Sequence, residues 1–224
     1  MKFISVLSIA VAVGCGIVSS SKTADLREIP SVPAAQTETD TPKGMQIAVF
    51  AGGCFWGVEA VFENVKGVMD VKSGYAGGSA KSANYDDVSE GTTQHAEAVQ
   101  VTFDPTKITY AQLLNVFFTV AHNPTELNRQ GPDTGPQYRS AIFFTDEDQQ
   151  KQAAAHITEL DKSKAWPKPI VTQVVPLTKF YVAETYHQDY LVRNPTQPYI
   201  VIHDMPKLED LKKKFPDLYA GKKS

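Results

Sequence analysis

The chain has 224 residues, 42% of them hydrophobic and 21% charged, with a formal net charge of −3 at pH 7. That composition is ordinary for a globular protein, and a slightly acidic chain lacks the cationic surplus needed to hold nucleic acid through its phosphates. About 180 residues follow Met45, ample for one domain with a proper core and short for two, so a single domain over 45–224 is the simplest count.

The chain begins with a targeting pattern. Lys2 precedes an apolar stretch from Phe3 to Val13 that is too short to span a bilayer comfortably, which predicts an export signal over 1–20. Cleavage falls either after the small residues near Ser20 or before Cys15, where Ala12-Val13-Gly14-Cys15 resembles a lipoprotein processing site with an atypical alanine at its first position. Residues 21–44 are rich in Ser, Thr, Pro and charge, lack apolar periodicity, and read as a flexible linker. The expected location is the periplasm or cell envelope, with membrane attachment only on the second of these routes, through a lipid anchor at Cys15. On either route Cys15 is lost as a free thiol. Cys54 is then left without an intramolecular partner in an oxidising compartment, which marks it as intermolecular or reactive.

Gln46 to Ala51 is a β-prone apolar run, and Val58, Val61, Phe62 and Val65 recur at helical spacing. Between them lies Gly52-Gly53-Cys54-Phe55-Trp56-Gly57, which puts Cys54 on the first turn of a helix. Unpaired N–H groups there stabilise an anionic sulfur by up to ~2 kcal/mol, which predicts a thiol that ionises more readily than usual. The bland alternative is an inert buried cysteine. The three glycines weigh against it, because they clear space around the sulfur for close approach of backbone and substrate.

Val68 to Tyr75 reads as a second strand closed by Gly77-Gly78, and His95 to Phe103 as a third ended by Asp104-Pro105. Thr109 caps a helix, completing a capping box with Gln112, whose apolar stripe runs through Tyr110, Leu113, Leu114, Phe117, Phe118 and Ala121. A Pro/Gly-rich loop follows from Asn123 to Gln137. Ala141 to Phe144 is a strand, Asp146 starts a polar helix reaching about Leu160, and Ile170 to Val175 is β-prone. A charged helical segment, Lys207 to Phe215, closes the chain. Interleaved strands and helices predict an α+β (α/β) two-layer sandwich with a mixed β-sheet, its strand order left open.

Three groups stand out as company for a reactive thiol. Glu97 shares a strand face with Val99, Val101 and Phe103, so a carboxyl lies on the apolar side. If it stays there, desolvation raises its pKa and makes it a general acid near neutrality; if it lies at the strand end, it reaches solvent. Asp133 to Ser140 is a polar cluster on a loop directly before a strand, either functional or a solvated turn with a structural Arg-Asp pair. Tyr85 offers a phenolic donor or serves as half-buried packing. His95-Ala96-Glu97 matches only a fragment of a zinc deaminase motif and lacks its cysteine ligands, so a metal site is rejected.

Taken together, Gly53 to Gly57, Gly91 to Glu97, Gln130 to Asp133 with Gln137 to Ser140, and Ala183 to Gln188 resemble the peptide methionine sulfoxide reductases of the A type, over nearly all of Met45 to Ile202. The resemblance implies a catalytic domain that repairs oxidised proteins by reducing methionine-S-sulfoxide, free or in proteins. It implies that Cys54 attacks the sulfoxide sulfur, that Glu97 protonates its oxygen, and that Cys54 ends as a sulfenic acid. Phe55 and Trp56 match the apolar cup for the substrate methyl group, Tyr85 and Tyr138 the donors to its oxygen, and Asp133 the acidic residue of the same pocket. His187 is expected to orient Glu97 or Asp133. No bound cofactor is implied, and a monomer is expected. Relatives with resolving cysteines carry them in a C-terminal tail, whereas Asn194 to Ser224 contains none. An external thiol, a thioredoxin-like protein or a small thiol, must then reduce the sulfenic acid. Two alternatives compete: a cysteine hydrolase or transferase using Cys54, His187 or His95, and Asp133, and a non-enzymatic protein that captures methionine-like side chains.

Overall fold

The computed structural model describes residues 44–221; the expected export segment, Cys15 and the linker up to Lys43 lie outside the described residues. Six strands form a mixed sheet. β1 (Gln46–Gly52) lies at its middle, antiparallel to β3 (Ala96–Phe103) on one side and to β6 (Ser140–Phe144) on the other. β2 (Val68–Ala76) extends the sheet beyond β3, and the short β8 (Phe180–Val182) closes that edge. β7 (Gln173–Pro176) closes the other edge, parallel to β6, giving the order β7-β6-β1-β3-β2-β8. Strand order, open from the pattern alone, is thereby settled. β8 has no counterpart in the sequence reading, because three residues are too few to show a period.

Alternation sorts the strand residues onto two unlike faces. One carries Phe50, Val99, Val101 and Phe103, and packs against Phe55, Val58 and Phe62 of α1 (Phe55–Glu63) and Leu113 and Leu114 of α3 (Tyr110–Val116). Phe50 stacks between Phe62 and Phe117, with ring centroids 5.1 and 4.9 Å away. The other face holds a smaller, alanine-rich cluster that includes Val49, Ala51, Ala98 and Phe143. The helices therefore form one layer and the sheet the other, the α+β two-layer arrangement expected.

Local signals set most of the helix ends. Thr109 and Gln112 form the complete capping box at the start of α3. α3 runs on into a single π-helical turn, Phe117–Ala121, which keeps Phe117 and Phe118 in the core. The Asp146 side chain accepts from the Gln149 amide and starts α4 (Glu147–Ser163), which ends at the left-handed Lys164. Between α3 and β6, the proline-rich loop folds into a hairpin of β4 (Arg129–Gln130) and β5 (Asp133–Thr134), then a 3₁₀ turn, Pro136–Tyr138. After β8 the chain returns across α1 through a 3₁₀ turn at Thr185–His187, the short α5 (Tyr190–Arg193), a π turn at Ile200–Asp204 and α6 (Met205–Lys214). That return path decides what surrounds Cys54.

Candidate active site

Cys54 is the residue immediately before α1, with non-helical φ −53° and ψ 123°, at the point where β1 hands over to the helix. The handover is tight. Gly53 has φ +91°, and a Cβ there would lie 2.5 Å from the Gln130 side chain; a Cβ on Gly57 would lie 2.0 Å from an Asp204 oxygen. The glycines thus admit other protein side chains against the turn, which corrects the expectation that they clear room for substrate.

Cys54 is 8% exposed. Burial pushes its pKa well above the ordinary value, and the nearby Glu97 and Asp204 carboxyls push the same way; the Trp56 amide and Lys207 pull it down by less. The expected acidic thiol is therefore corrected: a helix terminus offers at most ~2 kcal/mol to an anion, less than full desolvation removes. Cys54 rests as a thiol.

Glu97 lies on the core face of β3 and is 2% exposed, which settles its two readings in favour of burial. The Phe55 amide, the first N–H of α1, donates to its Oε2 at 3.1 Å, placing the carboxyl at the same helix start as the thiol. Desolvation raises its pKa to about 8, against the Phe55 hydrogen bond and with a further push from Asp133. At neutral pH Glu97 is a carboxylic acid with a proton to give.

Aromatic groups wall the site. Trp56 is half-buried and stacks on Tyr190, with centroids 3.7 Å apart and planes 7° apart. Phe55, fully buried, packs its ring 5.0 Å from that of His187. Tyr85 starts the short helix α2 (Tyr85–Ser89), held by its amide donating to Glu184 Oε1 at 2.9 Å. Its phenol pKa is raised by burial and then by the charges of Glu97 and Cys54. Tyr138, on the 3₁₀ turn, is raised by burial and then by Glu97, Asp133 and Cys54. Asp133, on β5, accepts a short hydrogen bond from the Tyr199 hydroxyl. Cys54, Glu97, Phe55, Trp56, Tyr85, Asp133 and Tyr138 are therefore brought to one place from five separated segments.

His187 belongs to the site in a different role from the one expected. The Trp56 indole N–H donates to its Nδ1 at 3.1 Å, so the ring orients Trp56 rather than Glu97 or Asp133. Burial lowers its pKa, and an Nδ1 acceptor requires the neutral ring with its proton on Nε2. His95 is engaged elsewhere, its Nε2 2.9 Å from the Ser79 carbonyl. Neither histidine is placed as a base for Cys54, which weakens the hydrolase alternative. Arg139 donates to the Gln94, His95 and Pro136 carbonyls, so the structural Arg-Asp pair considered for this loop is not what forms.

Sequence reasoning missed Tyr190, Tyr199, Glu184 and Asp204. Glu184 lies inside a quoted motif, yet its carboxylate joins the Tyr75 hydroxyl (2.8 Å) to the Tyr85 amide only through the fold. Asp204 is fully buried with Lys207 at 3.1 Å, just ahead of the segment Lys207 to Phe215 that reads as a charged helix. Among the described residues no group of three or more His, Cys, Asp or Glu could hold a metal ion, and no helix is long and apolar enough to cross a membrane.

Comparison with known proteins bears on the same segment. The family described as "Peptide methionine sulfoxide reductase" matches residues 46–219. The peptide methionine sulfoxide reductase MsrA 2 of Mesorhizobium japonicum is 55% identical over 179 residues, covering 80% of this chain and 92% of the relative. The MsrA 2 of Synechocystis sp. is 45% identical over 211 residues, covering 94% and 97%. Among solved structures, the reduced form of Mxr1 from Saccharomyces cerevisiae aligns with a TM-score of 0.65 and 36% identity, covering 72% of this chain and 92% of that one. Methionine sulfoxide reductase A of Corynebacterium diphtheriae aligns at 0.61 and 33%, covering 70% and 78%.

Proposed function

The chain belongs to the peptide methionine sulfoxide reductase family, and from that premise we propose which of its groups carries each step. The enzyme is a peptide-methionine (S)-S-oxide reductase: it returns methionine-S-sulfoxide to methionine at the expense of thiols and so repairs oxidised proteins. The Cys54 sulfur attacks the sulfoxide sulfur while Glu97 gives its proton to the oxygen. The S–O bond of the substrate breaks, its hydroxyl passes to the Cys54 sulfur, and the sulfur–sulfur bond made by the attack breaks with its electron pair on the substrate sulfur, so that methionine leaves and Cys54 is a sulfenic acid. The proton lost from the resting thiol restores the one Glu97 gave, so the half-reaction is balanced without solvent. As negative charge develops on the attacking sulfur, the Trp56 amide is on hand to favour it. Phe55 and Trp56 receive the methyl group, Tyr85 and Tyr138 hydrogen-bond the oxygen, and Asp133 is held for substrate by Tyr199.

No bound cofactor enters. The sulfenic acid condenses with an external thiol, releasing water and leaving a mixed disulfide, and a second thiol frees Cys54. Cys54 is the free cysteine of the described residues, so the reductant is a separate molecule, a thioredoxin-like protein or a small thiol. The site is complete within one chain, which suits a monomer. The leader 1–20, the linker 21–44 and the lipoprotein-like Cys15 support an exported enzyme of the periplasm or envelope, acting on proteins oxidised there, with 45–224 as its catalytic domain.

The observation that carries this assignment is the buried Glu97 carboxyl, which accepts from the first amide of α1 directly beside the buried free thiol of Cys54. Adding methionine-S-sulfoxide without reductant should give one equivalent of methionine and one sulfenic acid trapped at Cys54 by a dimedone-type reagent. Ester or amide hydrolysis that survives Glu97→Gln but not His187→Ala, with nothing trapped, would instead establish the hydrolase. Mass spectrometry of the same mature protein locates its N-terminus and tests acylation at Cys15.

A further inference from the structure

The first turn of α1 meets two buried acidic side chains, and the mechanism uses one of them. The other, Asp204, closes the π turn that precedes α6 and is 0% exposed. Its Oδ1 lies 3.1 Å from Lys207 Nζ, whose side chain is 19% exposed, while Oδ2 is buried with no hydrogen-bond partner. Asp204 occupies the N-cap position of α6 yet makes no capping hydrogen bond, so helix initiation does not account for it. What seats it is Gly57: the position a Cβ would take lies 2.0 Å from Asp204 Oδ1 and 2.7 Å from Lys207 Nζ. A buried ion pair is rarely the most stable filling for such a gap, and apolar side chains of similar size do as well or better. Three residues before Gly57 is the sulfur. The titratable groups acting on it are Glu97 from β3, which ionises only near pH 8, the Asp204 and Lys207 pair from the C-terminal segment, and the phenols of Tyr85, Tyr138 and Tyr199. Burial raises the pKa of Asp204 itself, Lys207 opposes that shift, Asp133 from β5 adds to it and the adjacent His203 opposes it.

We propose that Asp204 is a positioning residue that keeps the resting Cys54 in its thiol form, sparing an unpaired sulfur from oxidants and alkylating agents between turnovers, with Lys207 as the counter-ion that makes the buried carboxylate tolerable. The effect acts through space on the sulfur, so it belongs to Cys54 whatever substrate the enzyme meets. It rests on the assignment above only in taking Cys54 as the reacting sulfur.

The test is the pH dependence of iodoacetamide alkylation at Cys54, followed by mass spectrometry of the Cys54 peptide in the full chain without any sulfoxide. In Asp204→Asn the midpoint should fall, giving on the order of tenfold faster alkylation at pH 7, the equivalent of one pKa unit, with the alkaline plateau unchanged. A loosened structure would instead raise the plateau. The double variant Asp204→Asn with Lys207→Gln leaves no unpaired buried charge and guards against misfolding of the single variant; its midpoint should lie between the other two. Wild-type midpoints in a folded Asp204→Asn or in the double variant, or a shift upward, would overturn the proposal. Shifted midpoints in a protein that does not reduce methionine sulfoxide would leave this proposal standing and sink the reductase assignment alone.

Discussion

Two walls enclose Cys54, and each carries a buried carboxyl group. On the sheet wall, Glu97 accepts one amide hydrogen bond and has no cation, and its pKa rises to about 8. On the wall built by the returning C-terminal segment, Asp204 is as deeply buried but has Lys207 at 3.1 Å. Equal burial thus leads to opposite uses. Burial raises the pKa of both, but at Glu97 no cation opposes it and the group becomes a proton donor, whereas at Asp204 the Lys207 ammonium pulls back toward the anion. The partner, more than the depth, decides whether a buried carboxyl is reagent or scenery.

Glu97→Gln breaks the sheet wall and carries the largest expected effect. Loss of a general acid costs about 10²- to 10³-fold in kcat, with substrate binding largely kept; equal loss of both would make Glu97 a binding group. In the wild type, activity should fall as pH rises through about 8, where the acid ionises, and that limb should vanish in the variant. Stability follows the same proton. The folded state holds it up to about pH 8 while the unfolded chain releases it near the ordinary value of 4.5, so the native state binds more protons in that window and wild-type stability falls as pH rises across it. Glu59, also raised to about 8 by burial, adds to the same slope. Urea denaturation at pH 5 and pH 9 should therefore show Glu97→Gln gaining on the wild type at the higher pH.

The two walls also differ in how far they can be read from the chain. Cys54, Glu97 and the capping box at Thr109 depend on neighbours within a few residues: a glycine box, a period of two, a Thr-x-x-Gln spacing. Val99, Val101 and Phe103 put Glu97 on the apolar face, but whether it stayed there or reached solvent at the strand end was open until the fold buried it. The C-terminal wall has no such local signature. Tyr199 reaches Asp133 across 66 residues, and Asp204 finds its seat only because Gly57 lies on a helix that the chain passed long before. The thiol was misread for the same reason. A helix start is visible in sequence and favours the anion, but the burial and the second carboxyl that reverse the sign arrive with the fold.

Tyr199→Phe probes the C-terminal wall while keeping its ring against Trp56, whose centroid lies 6.1 Å away. Removing the hydroxyl takes a donor from Asp133. A hydrogen bond to a charged group contributes roughly 1.5–3 kcal/mol, part of which water recovers at this half-buried carboxylate, so kcat/KM should fall by about tenfold, mainly through KM. A loss in kcat as large as that of Glu97→Gln would erase the distinction between the walls and make Tyr199 part of the chemistry.

The smallest effect belongs to a position on neither wall. Thr109 follows the far end of β3, six residues or about 20 Å along the strand from Glu97. Its hydroxyl accepts from the Gln112 amide at 3.2 Å, and the Thr109 amide in turn donates to Gln112 Oε1 at 2.9 Å. Thr109→Ala removes the first bond and should lower stability by about 1 kcal/mol with kcat and KM unchanged at temperatures well below unfolding. α3 supplies Leu113 and Leu114 to the core beneath Phe50, and Phe50 lies on the strand that leads into Cys54. Loss of activity in a folded Thr109→Ala would therefore mean that slack in this helix reaches the sulfur through the core, and that the walls are less independent of their foundation than their separate carboxyl chemistry implies.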